Sequence, residues 1–105
     1  MTESPETPVT ALDGHTAEQL ARTFKALSDP TRVRIVAALA ERELCVNDLA
    51  EALGMSQSAI SHQLMTLREM RLVRFTKAGR HVFYALDDDH IDSLFRQSLE
   101  HIQHG

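Results

Sequence analysis

The chain has 105 residues, of which 43% are hydrophobic and 25% charged, and these proportions fit one globular domain rather than two. Its single cysteine excludes an internal disulfide, and no apolar run approaches the roughly 18 residues that a membrane span needs. The formal charge of −4 argues against a protein that coats nucleic acid without specificity. We therefore expect a soluble, cytoplasmic protein with no membrane partner.

The N-terminal part of the sequence predicts a tail followed by a first helix. Residues 1–13 are rich in Thr, Glu, Ser and Pro and lack the basic flank and apolar run of a secretory signal, so we interpret them as a flexible tail. Residues 14–105 have the pattern of one folded domain. Apolar side chains recur there at helical spacing and predict a first helix, which Thr16 is placed to cap.

Two further helices and a short turn follow. Asp29 before Pro30 is a strong start signal, because Asp caps a helix well and Pro fits the first helical position. This second helix extends to about Ala40, and a third spans about residues 47–53. Residues 54–56 (Gly-Met-Ser) then predict a three-residue turn in which Gly ends one helix and Ser caps the next.

The fourth helix extends to about Met70, and its side chains divide between two faces. Ile60, Leu64 and Leu67 share the face that we expect to be buried. The remaining side chains are hydroxyls, amides and an imidazole, which can bond to base edges or phosphates in a DNA groove. The candidate DNA-binding residues at this helix are Ser56, Gln57, Ser58, Ser61, His62 and Gln63.

After the fourth helix the period changes to that of strands. Residues 72–76 and 81–86 alternate between apolar and polar side chains around a turn with glycine at its tip. Helix, three-residue turn, helix and basic hairpin is the order of a winged helix-turn-helix, so we predict a mainly α fold with a β-hairpin wing. In that fold Lys77, Arg80 and His81 would contact the DNA backbone or the minor groove.

The last helix carries an apolar stripe that predicts self-association. Residues 87–89 are three aspartates that can cap its start. The stripe consists of Ile91, Leu94, Phe95, Leu99 and Ile102. Because a domain of this size cannot cover so much apolar surface alone, we expect a homodimer through the N- and C-terminal helices.

The same helix carries candidate metal ligands. Asp88, His90, His101 and His104 supply one carboxylate and three imidazoles, a ligand set that suits zinc or cobalt. His90 precedes His101 by eleven residues, or about 16 Å along a helix, so one chain does not close the gap. Eleven residues is almost three turns, and the two pairs therefore face the same way. An antiparallel copy of the helix would complete two equivalent sites between the chains.

Other interpretations of these residues remain open. Exposed Asp and His residues beside an apolar dimer seam are compatible with no metal binding at all. Nickel is less suitable than zinc or cobalt, because it usually calls for more than these four ligands. A small metal-dependent hydrolase would need an open coordination position and a pocket, and four protein ligands on paired helices leave neither. Ser61 and His62 are adjacent on a helix and face different ways, so they do not form a nucleophile and base, and we predict no enzyme.

Three sequence blocks resemble the ArsR/SmtB family of metal-responsive bacterial repressors. The blocks are ELCVNDLA (residues 43–50), SQSAISHQL (56–64) and GRHVFYAL (79–86), and the resemblance extends over about residues 16–104. It implies a homodimer that holds double-stranded operator DNA when metal-free and is released when Zn(II) or Co(II) binds. The alternative is a repressor of the same fold that responds to a non-metal signal or to none.

The resemblance also bears on two individual residues. Some family members bind metal through a Cys-x-Cys at the place of Cys45, but the second position here is Asn47, and we interpret Cys45 as a small buried residue. In related zinc sensors the second ring nitrogen of the histidine at the place of His101 donates to a backbone carbonyl near Arg71. Such a bond would connect a bound metal to the DNA-binding half.

Overall fold

The computed structural model describes residues 8–104, and seven elements follow one another in that range. They are α1 (Gly14–Ala26), α2 (Pro30–Glu41), α3 (Val46–Leu53), α4 (Gln57–Glu69), β1 (Val73–Ala78), β2 (His81–Leu86) and α5 (Asp89–His104). This order confirms the mainly α winged helix-turn-helix predicted from the sequence. Most of the predicted tail, residues 1–13, lies outside the described residues. None of the helices in the described range has the length and apolar composition needed to cross a membrane.

The first helix begins two residues before Thr16, because Asp13 caps it and Thr16 does not. One oxygen of Asp13 accepts from the backbone N–H of Thr16 at 2.8 Å, and the other accepts from the Thr16 hydroxyl at 2.8 Å. The bond from the Thr16 backbone lowers the pKa of Asp13 below its ordinary value of 3.8. The cap is therefore ionised at neutral pH, which suits the positive end of the helix dipole.

The predicted start signals of α2 and α4 are confirmed. Asp29 accepts from the backbone N–H of Arg32 at 3.1 Å, with Pro30 as the first helical residue. Between α3 and α4, Gly54 has a φ of 68°, a left-handed conformation that glycine adopts without steric cost. Ser56 then accepts from the backbone N–H of Ala59 at 3.1 Å and begins α4. Local turn chemistry thus sets the direction in which α4 leaves α3.

The core is one cluster of aliphatic side chains, mainly from α2, α3, α4 and the hairpin, which Ala26 at the end of α1 joins. The three residues predicted for the inner face of α4, namely Ile60, Leu64 and Leu67, are all 0% exposed. The other fully buried large side chains are Ile35, Val36, Leu49 and Leu72. Burial of this one stripe fixes the rotation of α4 about its axis, so its opposite face points outward.

The wing is an antiparallel pair in which β1 and β2 run in register from Val73 opposite Leu86 to Ala78 opposite His81. The second strand has the predicted bounds, whereas the first begins one residue later than predicted and extends two residues further, to Ala78. The turn between the strands therefore consists of Gly79 and Arg80 alone. Leu44 adds a bridge beside β2 that the sequence did not predict. Its N–H donates to the Tyr84 carbonyl at 3.0 Å, and the Tyr84 N–H donates back at 2.8 Å.

The last helix lies against the domain without burying any side chain completely. Ile91 and Phe95 are half-buried against the core, whereas Ile102 is 76% exposed. Arg96 fastens the helix to α2, since its Nη2 donates to the Ala40 carbonyl at 2.8 Å and its Nε to Asp92 at 2.8 Å. The predicted apolar stripe is therefore only partly covered by the protomer that carries it.

Leu64→Ala should lower the free energy of unfolding by about 2–5 kcal/mol, because it empties a fully enclosed position in the core. Met65→Ala is the matched control, since the next side chain on the same helix is 58% exposed and its loss should change stability by less than about 0.5 kcal/mol. Urea denaturation followed by circular dichroism measures both. Equal midpoints for the two variants would contradict the orientation of α4.

Candidate nucleic-acid interface and metal centre

We call α4 the recognition helix. Its outward face is polar. Ser58, Ser61 and His62 are all exposed on the side opposite the buried leucines. Ser56 is exposed at the start of the helix, where its hydroxyl oxygen serves as the cap. Short hydroxyls and an imidazole on one open helix face match what a major groove accepts from an inserted helix.

The same face carries Met65, which was not among the residues predicted from the sequence. It follows Ser61 by four positions and His62 by three, and it is 58% exposed. A signal for it was present, because Met65 is an apolar residue outside the Ile60–Leu64–Leu67 spacing of the buried face. In a DNA groove such a side chain can contact a thymine methyl group.

The two glutamines of the recognition helix already make hydrogen bonds within the protein. Gln57 is exposed, and its Nε2 donates to Oδ1 of Asn47 on α3 at 2.8 Å. Gln63 is half-buried on the side that faces α2, and its Oε1 accepts from Nε of Arg32 at 3.0 Å. The structure thus places Gln63 apart from the outward face that holds Ser58, Ser61 and His62.

The wing presents a basic, exposed tip. Lys77, Arg80 and His81 all lie at the solvent-facing end of the hairpin. The wing is tied to the recognition helix by Arg68, whose guanidinium carbon lies 4.1 Å from the centre of the Phe75 ring. Such cation–π contacts contribute about 0.5–1 kcal/mol at exposed sites. The contact holds the wing at a defined position beside the recognition helix.

The junction between the recognition helix and β1 contains a residue in an unfavourable backbone conformation. Arg71 has a φ of 59° and is the one non-glycine residue with positive φ in the described range. Two backbone hydrogen bonds close the helix here. The Arg71 N–H donates to the Arg68 carbonyl at 2.9 Å, and the Leu72 N–H donates to the Leu67 carbonyl at 2.9 Å. Glycine is the usual residue at this place, and a larger side chain costs about 1–2 kcal/mol.

At the start of α5, Asp88 and His90 lie side by side. Oδ1 of Asp88 accepts from the backbone N–H groups of His90 at 2.9 Å and Ile91 at 3.2 Å, so this carboxylate caps the helix. The bond from Ile91 lowers the pKa of Asp88 below its ordinary value of 3.8, and the neighbouring His90 side chain acts in the same direction. Oδ2 lies 3.4 Å from Nδ1 of His90, whose side chain is 94% exposed.

At the other end of α5, His101 and His104 are both exposed and line one shallow surface depression with Gln97 and Glu100. Two imidazoles separated by three positions on a helix can bind the same ion. His101 follows His90 by eleven residues, which corresponds to about 16 Å of helix. The four predicted ligands therefore form two separate pairs that both point to solvent.

Within one protomer these pairs do not meet. Among residues 8–104, no three side chains of His, Cys, Asp or Glu lie together in a way that could hold a metal ion. Cys45 is only half-buried, at the N-cap of α3, and makes no capping bond. One carboxylate and three imidazoles match a tetrahedral zinc or cobalt site chemically, but only a second chain can bring the two pairs together.

An exposed apolar groove runs between α1, α2 and α5. Its volume is about 320 Å³, and its lining residues are Phe24, Leu27, Val33, Val36, Ile91, Leu94, Phe95, Ser98, Leu99 and Ile102. Phe24 at 57% and Ile102 at 76% are strongly exposed for side chains of their size. Contiguous apolar surface of this kind marks a site of protein association.

Comparison with known protein sequences gives consistent matches. Residues 29–74 match the family described as "Bacterial regulatory protein, arsR family". A transcriptional repressor SmtB homolog from Synechocystis is 51% identical over 87 residues, which make up 83% of this chain and 66% of the relative. The HTH-type transcriptional regulator NmtR from Mycobacterium tuberculosis is 43% identical over 102 residues, or 97% of this chain and 85% of the relative.

Solved structures give the same result. The solution structure of apo-NmtR superposes with a TM-score of 0.79 at 42% identity and covers 100% of this chain and 88% of its own. A homodimeric winged helix-turn-helix DNA-binding domain from Mycobacterium bovis superposes with a TM-score of 0.79 at 28% identity, over 91% of each chain. The chain belongs to the arsR family of bacterial regulatory proteins, and it is a transcriptional regulator rather than an enzyme.

Proposed function

We propose that this protein is a transcriptional repressor that binds operator DNA as a metal-free homodimer and is released when Zn(II) or Co(II) binds between its C-terminal helices. The observation that carries the proposal is the arrangement of four potential metal ligands in two exposed pairs, one at the start of α5 and one near its end, beside an apolar groove. Because bacterial DNA lies in the cytoplasm, we propose that the protein acts there.

The groove supports the dimer. Leu20 and Phe24 on α1 and Leu99 and Ile102 on α5 are each at least 40% exposed, and a second copy of the chain would cover them. The Mycobacterium bovis domain described above, of the same fold, is homodimeric. A two-fold dimer through α1 and α5 leaves both recognition helices and both wings free for two DNA half-sites.

The donor set and its spacing support the metal centre. Antiparallel packing of α5 against its copy would place Asp88 and His90 beside the partner's His101 and His104, which gives two equivalent sites. Oδ1 of Asp88 remains on the helix cap, so Oδ2 is the oxygen available for coordination. Bound Zn(II) or Co(II) would supply a tetrahedral cross-link between the chains, and nickel, which usually calls for more ligands, is less suited.

For DNA binding, we assign base contacts to the outward face of the recognition helix and backbone contacts to the wing. Hydroxyl and imidazole groups on the helix bond base edges, whereas cationic side chains on the wing bond phosphates. The proposed DNA-binding residues are Ser56, Gln57, Ser58, Ser61 and His62 at the recognition helix, with Lys77, Arg80 and His81 on the wing. Gln63, which the sequence also suggested, is left out because its side chain is half-buried against Arg32.

Release follows from thermodynamic linkage. If the dimer geometry that favours metal binding presents the recognition helices poorly to DNA, metal and DNA must weaken each other by the same factor. His101 is the residue to which we assign this coupling. One ring nitrogen would face the metal while the other donates to a backbone carbonyl near Arg71, at the end of the recognition helix.

Cobalt absorption together with a DNA titration tests the proposal. We expect intense visible bands of tetrahedral Co(II), and a loss of operator affinity of about tenfold or more on adding Zn(II). Fluorescence anisotropy with a duplex that the protein selects from a random pool gives the affinity. Weak octahedral bands would contradict the ligand set. DNA binding that is the same with chelator and with zinc would support a repressor that responds to another signal or to none.

His101→Ala should leave the metal-free protein's DNA affinity unchanged and remove most of the zinc-driven release, a coupling of about 1–3 kcal/mol. The comparison variant is Asp88→Asn, which keeps an oxygen for the helix cap and loses the charged ligand, so it should weaken zinc binding and keep the coupling once zinc is saturating. Anisotropy with and without saturating zinc measures both. Full release by zinc-loaded His101→Ala would exclude the route through this histidine.

Arg80→Ala should weaken binding to every duplex and reduce the slope of log affinity against log salt by about 1.8, because one phosphate contact is lost in each of the two protomers. Arg80→Lys keeps the charge and should keep the slope. Ser58→Ala should instead reduce discrimination between bases by about 1–3 kcal/mol and leave the slope unchanged. Anisotropy at several salt concentrations distinguishes the two effects, and an unchanged slope for Arg80→Ala would remove the wing from the interface.

A further inference from the structure

The guanidinium of Arg32 connects three helices. Arg32 lies in the first turn of α2 and is partly buried. Its Nε donates to Oε1 of Gln63 on the recognition helix at 3.0 Å, and its Nη1 donates to the backbone carbonyl of Ala26 at 3.3 Å. Ala26 is the last residue of α1. One planar side chain therefore holds the end of α1 and the side of α4 at the same time.

The donors and acceptors of Arg32, Gln63 and the Ala26 carbonyl can pair in only one way. Arginine has no acceptor, so the Gln63 atom that faces it must be the amide oxygen. The Ala26 carbonyl belongs to the last turn of α1, where carbonyls lack partners within the helix and where a cation is favourable. A lysine at this place carries the same charge but lacks the rigid fork of N–H groups that reaches both acceptors in one plane.

The bond from Arg32 to the Ala26 carbonyl is important because α1 makes few other contacts with the rest of the protomer. Ala26 is the only buried side chain of α1, whereas Leu20 and Phe24 are 44% and 57% exposed. Across residues 8–104, the bond from Arg32 is the single side-chain hydrogen bond that joins α1 to another helix or strand. The end of α1 is therefore held by this guanidinium together with Ala26 in the core.

We propose that Arg32 is a positioning residue for DNA recognition, which fixes the recognition helix relative to the dimer helices and so sets the half-site spacing that the protein accepts. The inference rests on the proposed dimeric DNA binding. Each base pair added between two half-sites moves them apart by about 3.4 Å and rotates them by about 34°. A rigid link from α1 to α4 restricts binding to one spacing, whereas a loose link tolerates several.

The test uses a duplex with two inverted half-sites that the metal-free wild-type protein selects from a random pool, and versions with the spacer changed by one or two base pairs. We expect wild type to lose about tenfold or more in affinity at a change of two base pairs, and Arg32→Lys to lose about threefold or less. Gln63→Met should give the same loss of discrimination. The double variant should show no further loss, because each change already removes the Arg32–Gln63 bond and so interrupts the link between α1 and α4.

Arg34→Lys is the matched control. Arg34 lies two residues away on α2 and donates to the Leu53 carbonyl at 3.4 Å at the end of α3, without contact to α1 or α4 through that bond. The same substitution there should leave the spacing ratio at the wild-type value. A purely structural role for Arg32 would lower the folded fraction and so weaken binding equally at all spacings. The ratio between spacings, rather than the affinity itself, is therefore the decisive measurement.

Sedimentation of each protein separates this inference from the proposed function. A dimeric wild type with a clear spacing preference, and an equally dimeric Arg32→Lys with the same preference, would overturn the role of Arg32 and leave the proposed repressor intact. A wild type that is monomeric on and off DNA would refute the proposed dimer and this inference with it. Reduced discrimination by both Arg32→Lys and Gln63→Met, with Arg34→Lys unchanged, supports the assignment.

Discussion

Burial of one side of the recognition helix is the constraint on which the rest of the functional surface depends. Ile60, Leu64 and Leu67 are completely enclosed, and a helix that buries one stripe must present the opposite one to solvent. The polar outer face and the position of the wing both follow from where this helix is seated. A change in the core can therefore disturb DNA recognition without altering any residue that touches DNA.

The second helix connects the parts of the molecule that are proposed to communicate. At its start, Arg32 joins the end of α1 to the recognition helix, and at its end the Ala40 carbonyl accepts from Arg96 on α5. Helices are stiff, so a shift of α5 against its copy would move α2 as a body. This connection exists beside the proposed route through His101, and both lead from α5, which carries the proposed metal ligands, to α4.

Much of this fold could be predicted because it depends on interactions between neighbours in sequence. Contacts between residues that are distant in sequence could not be predicted. Asp29 with Pro30, and the turn from Gly54 to Ser56, act through neighbours in sequence, so they predicted helix boundaries closely. The bridge between Leu44 and Tyr84 joins residues that are distant in sequence, and no local pattern indicates it. The contact of Gln63 with Arg32 depends on packing between helices for the same reason. The proposed metal centre could be predicted only as a pattern, because one chain does not assemble it.

The separation of Asp88 and His90 from His101 and His104 along α5 has a consequence for the cell. If neither pair is a complete site, metal affinity depends on the monomer–dimer equilibrium and hence, by mass action, on the abundance of the protein. At low abundance the half-sites separate, and more free metal is needed to fill them. A cell that synthesises more of the protein would shift it toward the dimer, so the DNA-free protein would bind metal at a lower free metal concentration.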